Sequence, residues 1–262
     1  MTNSQVLFSF SNGVAELTLN RPEVHNAFDD NIIEALISHL EIAADLPDLR
    51  VLILRSAGKN FSAGADLEWM RRMADNSHGD NLKDAHRLAR LMQLLNDFNR
   101  PTIALIQGVA YGGAVGLAAC CDIVIASDAS KFCLSEVRIG LIPAVISPYV
   151  IRAIGERQAR RYFITAEPFS AEQARTFGLV HDVVPEDQLQ ASADTMITGL
   201  LQNSPQGMYA AKQLIQAVSQ QSIDDTLIAD TATRIADIRV SPEGQEGLSA
   251  FLEKRTPAWI KG

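Results

Sequence analysis

The chain has 262 residues, of which 47% are hydrophobic and 21% charged, and its formal net charge is −8. This balance excludes a mainly disordered chain, and the length allows one large domain with a substantial core. The acidic charge and the lack of a run of lysines and arginines argue against a nucleic-acid partner, because such binding requires several phosphate contacts. No stretch approaches the roughly 18 apolar residues that span a membrane.

The cysteines and the amino terminus indicate the compartment. Cys120, Cys121 and Cys133 form neither a CxxC motif nor a Cys/His spacing, so we predict buried free thiols and no metal site. The first ten residues lack both a charged segment with an apolar run behind it and an arginine-rich amphipathic pattern. The sequence therefore predicts a cytoplasmic protein.

Strands and helices alternate along the first half of the chain, which predicts an α/β fold with parallel pairing. The predicted strands cover residues 5–10, 14–20, 50–56, 102–107 and 122–127, the first two joined as a hairpin by an Asn-Gly turn. The predicted helices cover residues 31–45, 66–74, 82–98 and 113–121, with Asp29 or Asp30 as the first cap. We expect a flexible loop at 76–81, and helices from about 146 onward apart from a short apolar piece at 179–184.

Two loops rich in small residues each follow a predicted strand and precede a helix. Residues 62–66 (SAGAD) form the first loop and residues 108–114 (GVAYGGA) the second. Small residues let a ligand approach the backbone, and N–H groups at a helix start lack an intrahelical partner. Together the loops can offer two N–H donors to one oxyanion, although either loop alone is as compatible with tight packing. Neither loop matches a nucleotide-binding motif.

The segments around these loops resemble the crotonase (enoyl-CoA hydratase/isomerase) family. The matching segments are 20–22 (NRP), 26–27 (NA), 61–67 (FSAGADL), 108–113 (GVAYGG), 121–122 (CD), 136–143 (EVRIGLIP), 171–174 (AEQA), 177–180 (FGLV) and 251–257 (FLEKRTP). They cover nearly the whole chain in the family's order. Each segment alone is weak, whereas their joint occurrence is highly specific.

The resemblance implies a spiral of ββα units over residues 1–200 and a helical trimerisation region over 201–262, assembled as a homotrimer or a dimer of trimers. It implies a coenzyme A thioester as substrate and no further cofactor. The N–H groups of Ala65 and Gly113 would form the oxyanion hole. The implied substrate and CoA contacts are Val24, His25, Asn26, Ala63, Asp66, Leu67, Glu68, Tyr111, Gly112, Phe251 and Lys254, the last two from the same or a neighbouring subunit.

Several of these residues have plainer interpretations from the sequence itself. Asp66 precedes a predicted helix and suits a helix cap better than a substrate contact. His25 fits a surface or groove residue better than a base. Lys254 belongs to a charge cluster of the kind that usually faces solvent.

Glu136 is the candidate acid–base group. A carboxyl group among apolar neighbours has a raised pKa, which suits a residue that both takes and gives a proton. The local sequence alone favours an exposed carboxylate paired with Arg138, and the resemblance to a catalytic glutamate reverses that preference.

Hydratases of the family usually carry a second glutamate at the position of Gly116, and glycine cannot move a proton. Three interpretations follow: Glu136 works alone as a double-bond isomerase, Glu136 both activates water and protonates carbon, or another group among Asp66, Glu68, Ser135 and Tyr111 assists. A non-catalytic acyl-CoA-binding or RNA-binding member of the family is a further alternative, which the retained Glu136 and the charge of −8 disfavour.

Two longer segments, 61–73 and 133–150, resemble bacterial 3-methylglutaconyl-CoA hydratases of leucine and isovalerate breakdown. That resemblance implies reversible hydration of a branched 2-enoyl-CoA to 3-hydroxy-3-methylglutaryl-CoA. A 3-methyl group stabilises positive charge at the β-carbon, so water addition needs less help from a base. Arg71, Arg72 and Arg138 are the cations available for the distal carboxylate, although Arg71 and Arg72 equally suit a solvated helix face or CoA phosphates.

Overall fold

A computed structural model describes residues 4–260 of the chain, in which nine strands form two sheets. The strands are β1 (Val6–Ser11), β2 (Val14–Leu19), β3 (Val51–Ser56), β4 (Thr102–Ile106), β5 (Val109–Tyr111), β6 (Ile123–Ser127), β7 (Lys131–Cys133), β8 (Phe169–Ser170) and β9 (Asp182–Val184). The larger sheet has the order β1-β2-β3-β4-β6-β9, and the smaller has the order β5-β7-β8. Only β1 pairs antiparallel in the larger sheet.

Ten α-helices surround and follow the sheets within the described residues. They are α1 (Asp30–Ala44), α2 (Leu67–Asp75), α3 (His78–Asn96), α4 (Gly113–Cys120), α5 (Ser147–Thr165, interrupted at Gly155), α6 (Ala171–Phe177), α7 (Leu189–Gln202), α8 (Pro205–Val218), α9 (Asp225–Val240) and α10 (Pro242–Glu253). The repeated order of a long strand, a short strand and a helix is the predicted ββα spiral.

The central strands are buried on both faces, which explains their continuous apolar runs. In β3 and β4, Leu52, Leu54, Ala104 and Ile106 belong to the main core, where α1, α3 and α4 also contribute side chains. Their neighbours Val51, Ile53, Ile103 and Leu105 point to the opposite face, where α7 covers them with Ala193, Met196 and Ile197. The period-two alternation of a strand thus separates two hydrophobic clusters.

The hairpin, the Asp29 cap and the five predicted strands, which are β1, β2, β3, β4 and β6, are confirmed, with boundaries within one or two residues of the prediction. The prediction missed β5, which lies within the predicted loop 108–114, because three residues are too short to show a strand period. The predicted flexible loop at 76–81 is wrong, because α3 begins at His78. Ser77 caps it by accepting a hydrogen bond from the Asp80 N–H, so a polar run that looked like a loop is a capped helix start. The chain beyond 146 is helical as expected, but it also forms the two-residue strand β8.

The three thiols are free and buried, as predicted. Burial raises the pKa of all three, that of Cys121 to about 12, so none is a reactive thiolate at neutral pH. No helix in residues 4–260 combines the length and hydropathy of a membrane span. Within the same residues, no three His, Cys, Asp or Glu side chains cluster as metal ligands would.

Helices α8, α9 and α10 differ from the rest in how little they bury. Neither α8 nor α9 has a buried residue, whereas α10 buries only Ala250. Large apolar side chains on these helices face solvent in the single chain, among them Ile215, Ile228, Leu248, Phe251 and Leu252. Lys212 ties α8 to the sheet through an ion pair with Asp122, with 2.7 Å between Nζ and Oδ2.

Candidate active site

The two small-residue loops lie side by side beyond the carboxyl ends of β3 and β4. The Phe61 N–H donates to Gln107 O at 2.8 Å, and the Ser62 N–H donates to Val109 O at 3.0 Å. The Tyr111 N–H returns a bond to Ser62 O at 3.0 Å. Parallel strands end at one edge of the sheet, and such an edge is where open α/β folds bind ligands.

Phe28 brings Ala65 and Gly113 together. Its N–H donates to Gly64 O and its carbonyl accepts from the Asp66 N–H, both at 2.7 Å. The Phe28 backbone is thus hydrogen-bonded to the residues on both sides of Ala65. The Phe28 ring lies 3.6 Å from the place that a Cβ atom on Gly113 would occupy. Among the described residues, neither the Ala65 N–H nor the Gly113 N–H donates to a protein acceptor. Both groups are therefore free to donate to a ligand, and the oxyanion hole that the resemblance implies for them stays a prediction.

Glu136 begins a 3₁₀ turn, Glu136–Ile139, directly after the short strand β7. Its Oε1 lies 3.3 Å from the place of a Cβ atom on Gly112, and the Gly112 N–H is fixed to Cys133 O at 2.9 Å. The carboxyl group thus lies against the amino terminus of α4, next to Gly113. Its Oε2 is buried and has no hydrogen-bond partner among the described residues.

Burial raises the pKa of Glu136 above its usual value of 4.5, and a backbone hydrogen bond opposes that rise only in part. The interpretation that Glu136 is an exposed carboxylate paired with Arg138 is wrong. The Arg138 guanidinium instead donates to the carbonyl of Ala166, which also accepts from the Cys133 thiol at 3.2 Å. A half-buried carboxyl group with one buried and unpartnered oxygen suits proton transfer to a ligand rather than a structural ion pair.

Asp66 is a helix cap, as its sequence position indicated. Its Oδ1 accepts from the Glu68 N–H at 2.9 Å and from the Trp69 N–H at 3.2 Å. Burial alone would raise its pKa, but these two backbone bonds and Arg21 outweigh that effect and hold the pKa below its usual value. The Asp66 side chain therefore fixes the start of α2 directly after Ala65. Its carboxylate oxygens already have protein partners and do not need a ligand.

Arg21 links the caps of two helices, a role that the sequence did not reveal. Its guanidinium contacts Asp29 Oδ2 at 3.1 Å and Asp66 Oδ2 at 3.2 Å, and the side chains of Arg21, Asp29 and Asp66 are only 17%, 11% and 11% exposed. Asp29 caps α1 and Asp66 caps α2. Arg21 therefore fixes the loop that carries Ala65 relative to α1. The charges of the three residues were the only available signal, since the partners lie up to 45 positions apart.

We expect Arg21→Gln to destabilise the protein by roughly 3 kcal/mol, because it leaves two nearly buried carboxylates without their shared cation. The midpoint of thermal unfolding reports this loss. Arg160→Gln is the matched control, because the Arg160–Glu156 pair is 71% and 79% exposed and should contribute little. Equal midpoints for the two variants would contradict the linking role.

The remaining predicted contacts fall into three groups. Val24, His25, Ala63, Leu67 and Glu68 are exposed around the first loop, where the Ala63 N–H donates to His25 O at 3.0 Å. Asn26 is fully buried, and its amide bonds to Arg21 N, Ala57 O and Asn60 O, so its side chain holds the loop and does not face a ligand. Tyr111 and Gly112 lie on the second loop.

Phe251 and Lys254 are not brought to these loops. Both are exposed at the end of α10, which packs against α8 and α9, and in residues 4–260 neither side chain has a hydrogen bond to the two loops. Their CoA contacts remain predictions that require a neighbouring subunit.

The three candidate cations for a distal carboxylate all have partners in the structure. Arg71 pairs with Glu68 and Arg72 with Asp30, both on exposed surface, while Arg138 bonds to Ala166 O. Exposed pairs contribute little free energy and exchange readily. A substrate carboxylate can therefore compete for Arg71 or Arg72 more easily than for Arg138.

The sequence pattern of the enoyl-CoA hydratase/isomerase family matches residues 9–262. The 2,3-dehydroadipyl-CoA hydratase of Escherichia coli K12 is 33% identical over 255 residues, which cover 97% of this chain and 98% of the relative. The trans-2-decenoyl-(acyl-carrier-protein) isomerase of Streptococcus mutans is 31% identical over 268 residues, which cover 98% of each protein. Both a hydratase and an isomerase are thus related at similar identity.

The crystal structure of an enoyl-CoA hydratase from Shewanella pealeana superposes with a TM-score of 0.95 at 50% identity, covering 98% of this chain and 96% of that one. The spiral of ββα units followed by helices is therefore the crotonase fold. The chain belongs to the enoyl-CoA hydratase/isomerase family.

Proposed function

We propose that the protein catalyses reversible hydration of 3-methylglutaconyl-CoA, a branched 2-enoyl-CoA with a distal carboxylate, to 3-hydroxy-3-methylglutaryl-CoA. The observation that carries the proposal is the half-buried Glu136 carboxyl group beside the amino terminus of α4, whose Oε2 is buried and has no partner among the described residues. That position combines a proton carrier with two free N–H donors, which is what addition to an unsaturated thioester requires.

The proposed reaction uses these groups in order. The Ala65 and Gly113 N–H groups bind the thioester oxygen, and Glu136 takes a proton from a water molecule. The water oxygen bonds to C3 while the π electrons of the C2–C3 double bond move into the thioester as an enolate. Glu136 then returns its proton to C2, so that one water is added and the carboxylate is regenerated. The raised pKa of Glu136 suits both proton transfers.

The branched substrate fits a site with one carboxylate. A 3-methyl group stabilises positive charge at C3. It therefore helps when the π electrons move toward the thioester ahead of C3–O bond formation, and such a transition state needs less activation of the water by a second group. The exposed Arg71 and Arg72 on α2 are the proposed partners of the distal carboxylate, because their present ion pairs are exposed. The proposed place of the enzyme is leucine and isovalerate breakdown in the cytoplasm.

A double-bond isomerase is the second candidate. In that reaction Glu136 removes a proton from one carbon of the acyl chain and returns it to another, with no water consumed. Glycine at position 116 supports this alternative because one carboxylate suffices. A non-catalytic acyl-CoA-binding or RNA-binding role is disfavoured by the free N–H groups beside Glu136 and by the charge of −8.

A homotrimer or a dimer of trimers is the proposed assembly, with 1–200 as the spiral core and 201–262 as the trimerisation region. The exposed apolar side chains on α8, α9 and α10 support it, because a neighbouring copy would remove them from water. In such an assembly Phe251 and Lys254 would contact the CoA of another subunit.

The test is incubation of the purified protein with 3-methylglutaconyl-CoA, crotonyl-CoA and a 3-enoyl-CoA in separate reactions, with products followed by mass spectrometry. The expected result is a gain of one water on the branched substrate, faster than on crotonyl-CoA. A double-bond shift without mass change, only on the 3-enoyl-CoA, would establish the isomerase instead. A protein that binds CoA thioesters but turns over none of the three would contradict both activities.

A further inference from the structure

Position 116 lies in α4, whose amino terminus lies against the proposed acid–base group. Gly112 precedes α4, and a Cβ atom on Gly112 would point toward Glu136 Oε1. Gly116 follows four residues later, about one helical turn along α4. Side chains on a helix lean toward its amino terminus, and a long side chain at 116 would therefore extend toward Gly112 and Glu136.

Ile146 occupies the space that such a side chain needs. A Cβ atom on Gly116 would lie 2.2 Å from Ile146 Cγ2, 2.7 Å from Ile146 Cβ and 3.3 Å from Met92 Cε. Rotation about χ1 can move Cγ2 but cannot move Cβ, and isoleucine has few alternative rotamers. The two residues therefore fit only because one of them is glycine.

The backbone holds Ile146 in this place. It caps α5, and its carbonyl accepts from the Tyr149 N–H at 3.1 Å and the Val150 N–H at 3.0 Å. The residue is 2% exposed and belongs to the main core. Displacement of Ile146 would therefore disturb both the start of α5 and a close-packed interior.

We infer that Ile146 is a specificity-determining residue, which excludes a second proton-transfer group at position 116. With only Glu136 in reach, the site favours 2-enoyl thioesters whose C3 carries an alkyl group, because that group stabilises the positive charge left at C3 when the π electrons move toward the thioester ahead of C3–O bond formation. Straight-chain thioesters lack this assistance and react more slowly. This inference rests on the proposed hydratase function and names the feature that would set its substrate preference.

The steric part is tested by thermal unfolding of four proteins: wild type, Gly116→Ala, Ile146→Gly and the double variant. We expect Gly116→Ala to lower the unfolding midpoint by several degrees in the wild-type background. In the Ile146→Gly background the same change should be neutral or stabilising, because the clash is gone and alanine is the better helix former. Equal effects of Gly116→Ala in both backgrounds would overturn the inference.

The chemical part is tested with Gly116→Glu/Ile146→Gly, in which a carboxylate has room beside Glu136. We expect its hydration of crotonyl-CoA to rise on the order of tenfold or more over Ile146→Gly, and the preference for 3-methylglutaconyl-CoA to fall. Gly116→Gln/Ile146→Gly is the matched control, since it fills the same space without a titratable group. No gain in the folded Glu variant, or an equal gain in the Gln control, would overturn the inference.

The two failures are separable. Absent turnover of 3-methylglutaconyl-CoA by the wild-type protein would overturn the proposed function. The unfolding midpoints of the four proteins would still decide whether Ile146 excludes a side chain at position 116.

Discussion

Glu136→Gln is expected to reduce kcat by about 10²-fold or more, because the amide cannot take a proton from water or return one to carbon. The substitution keeps the shape of the side chain and leaves the 3₁₀ turn Glu136–Ile139 intact. CoA thioester binding should therefore persist, which equilibrium dialysis can measure. Glu156→Gln, on an exposed face of α5, is the matched control and should keep full activity.

The same substitution should stabilise the protein at neutral pH. The folded-state pKa of Glu136 lies above 4.5, so the folded state binds more protons than the unfolded state between the two pKa values. The wild-type stability therefore falls as the pH rises through that window, and the ionised carboxylate remains a cost above it. Thermal unfolding of wild type and Glu136→Gln from pH 4 to pH 8 should show a gap that widens with pH.

Two results would contradict this interpretation of Glu136. Retention of kcat within a few fold in Glu136→Gln would show that another group moves the proton. A midpoint for the variant that falls below wild type at pH 8 would show that the ionised carboxylate stabilises the fold, in conflict with its burial without a partner. The first result concerns the chemistry and the second the electrostatics, so each can fail alone.

Gly112→Ala is expected to impair both folding and catalysis. Gly112 has φ 55° and ψ −122°, a conformation that side chains rarely adopt, and such strain costs about 1–3 kcal/mol. The new Cβ would lie 3.3 Å from Glu136 Oε1 and would press on the carboxyl group. We expect a lower unfolding midpoint together with a fall in kcat.

Gly140→Ala separates backbone strain from crowding of the carboxyl group. Gly140 has φ 76°, but a Cβ atom there would meet no other atom within 4 Å. This variant should lose stability while keeping a kcat close to that of wild type. If Gly112→Ala lost only stability and kept kcat, the close contact between Gly112 and Glu136 would have no catalytic role.

The local sequence determined most of the elements, because their signals are short in range. The Asn12-Gly13 turn fixes the first hairpin, and β-branched apolar runs form the strands buried on both faces. The same kind of signal identified Asp66 as a cap. It failed at 76–81, where a polar run looked like a loop although Ser77 starts a helix there, because caps and loops use the same residue types.

The local sequence could not decide the state of Glu136. Its nearest cation along the chain is Arg138, two residues away, and charge alone favoured a pair. In the folded chain Arg138 turns to the Ala166 carbonyl, 28 residues away, and Glu136 is left against the start of α4. Whether a carboxylate is paired or buried depends on which distant backbone groups lie nearby, and only the packing of α5 and β7 supplies them.

The sequence by itself therefore determined the longer strands and helices and the two small-residue loops, and its resemblance to a family pointed to Glu136 and to the departure at Gly116. Tertiary structure alone decided that Phe28 joins the loops, that Arg21 connects two helix caps and that Ile146 fills the space beside Gly116. The physical reason is the distance along the sequence over which each kind of interaction acts. Hydrogen-bond caps and hydrophobic periodicity act over a few residues, whereas steric exclusion and the Arg21–Asp66 ion pair depend on atoms that folding brings together from distant positions in the sequence.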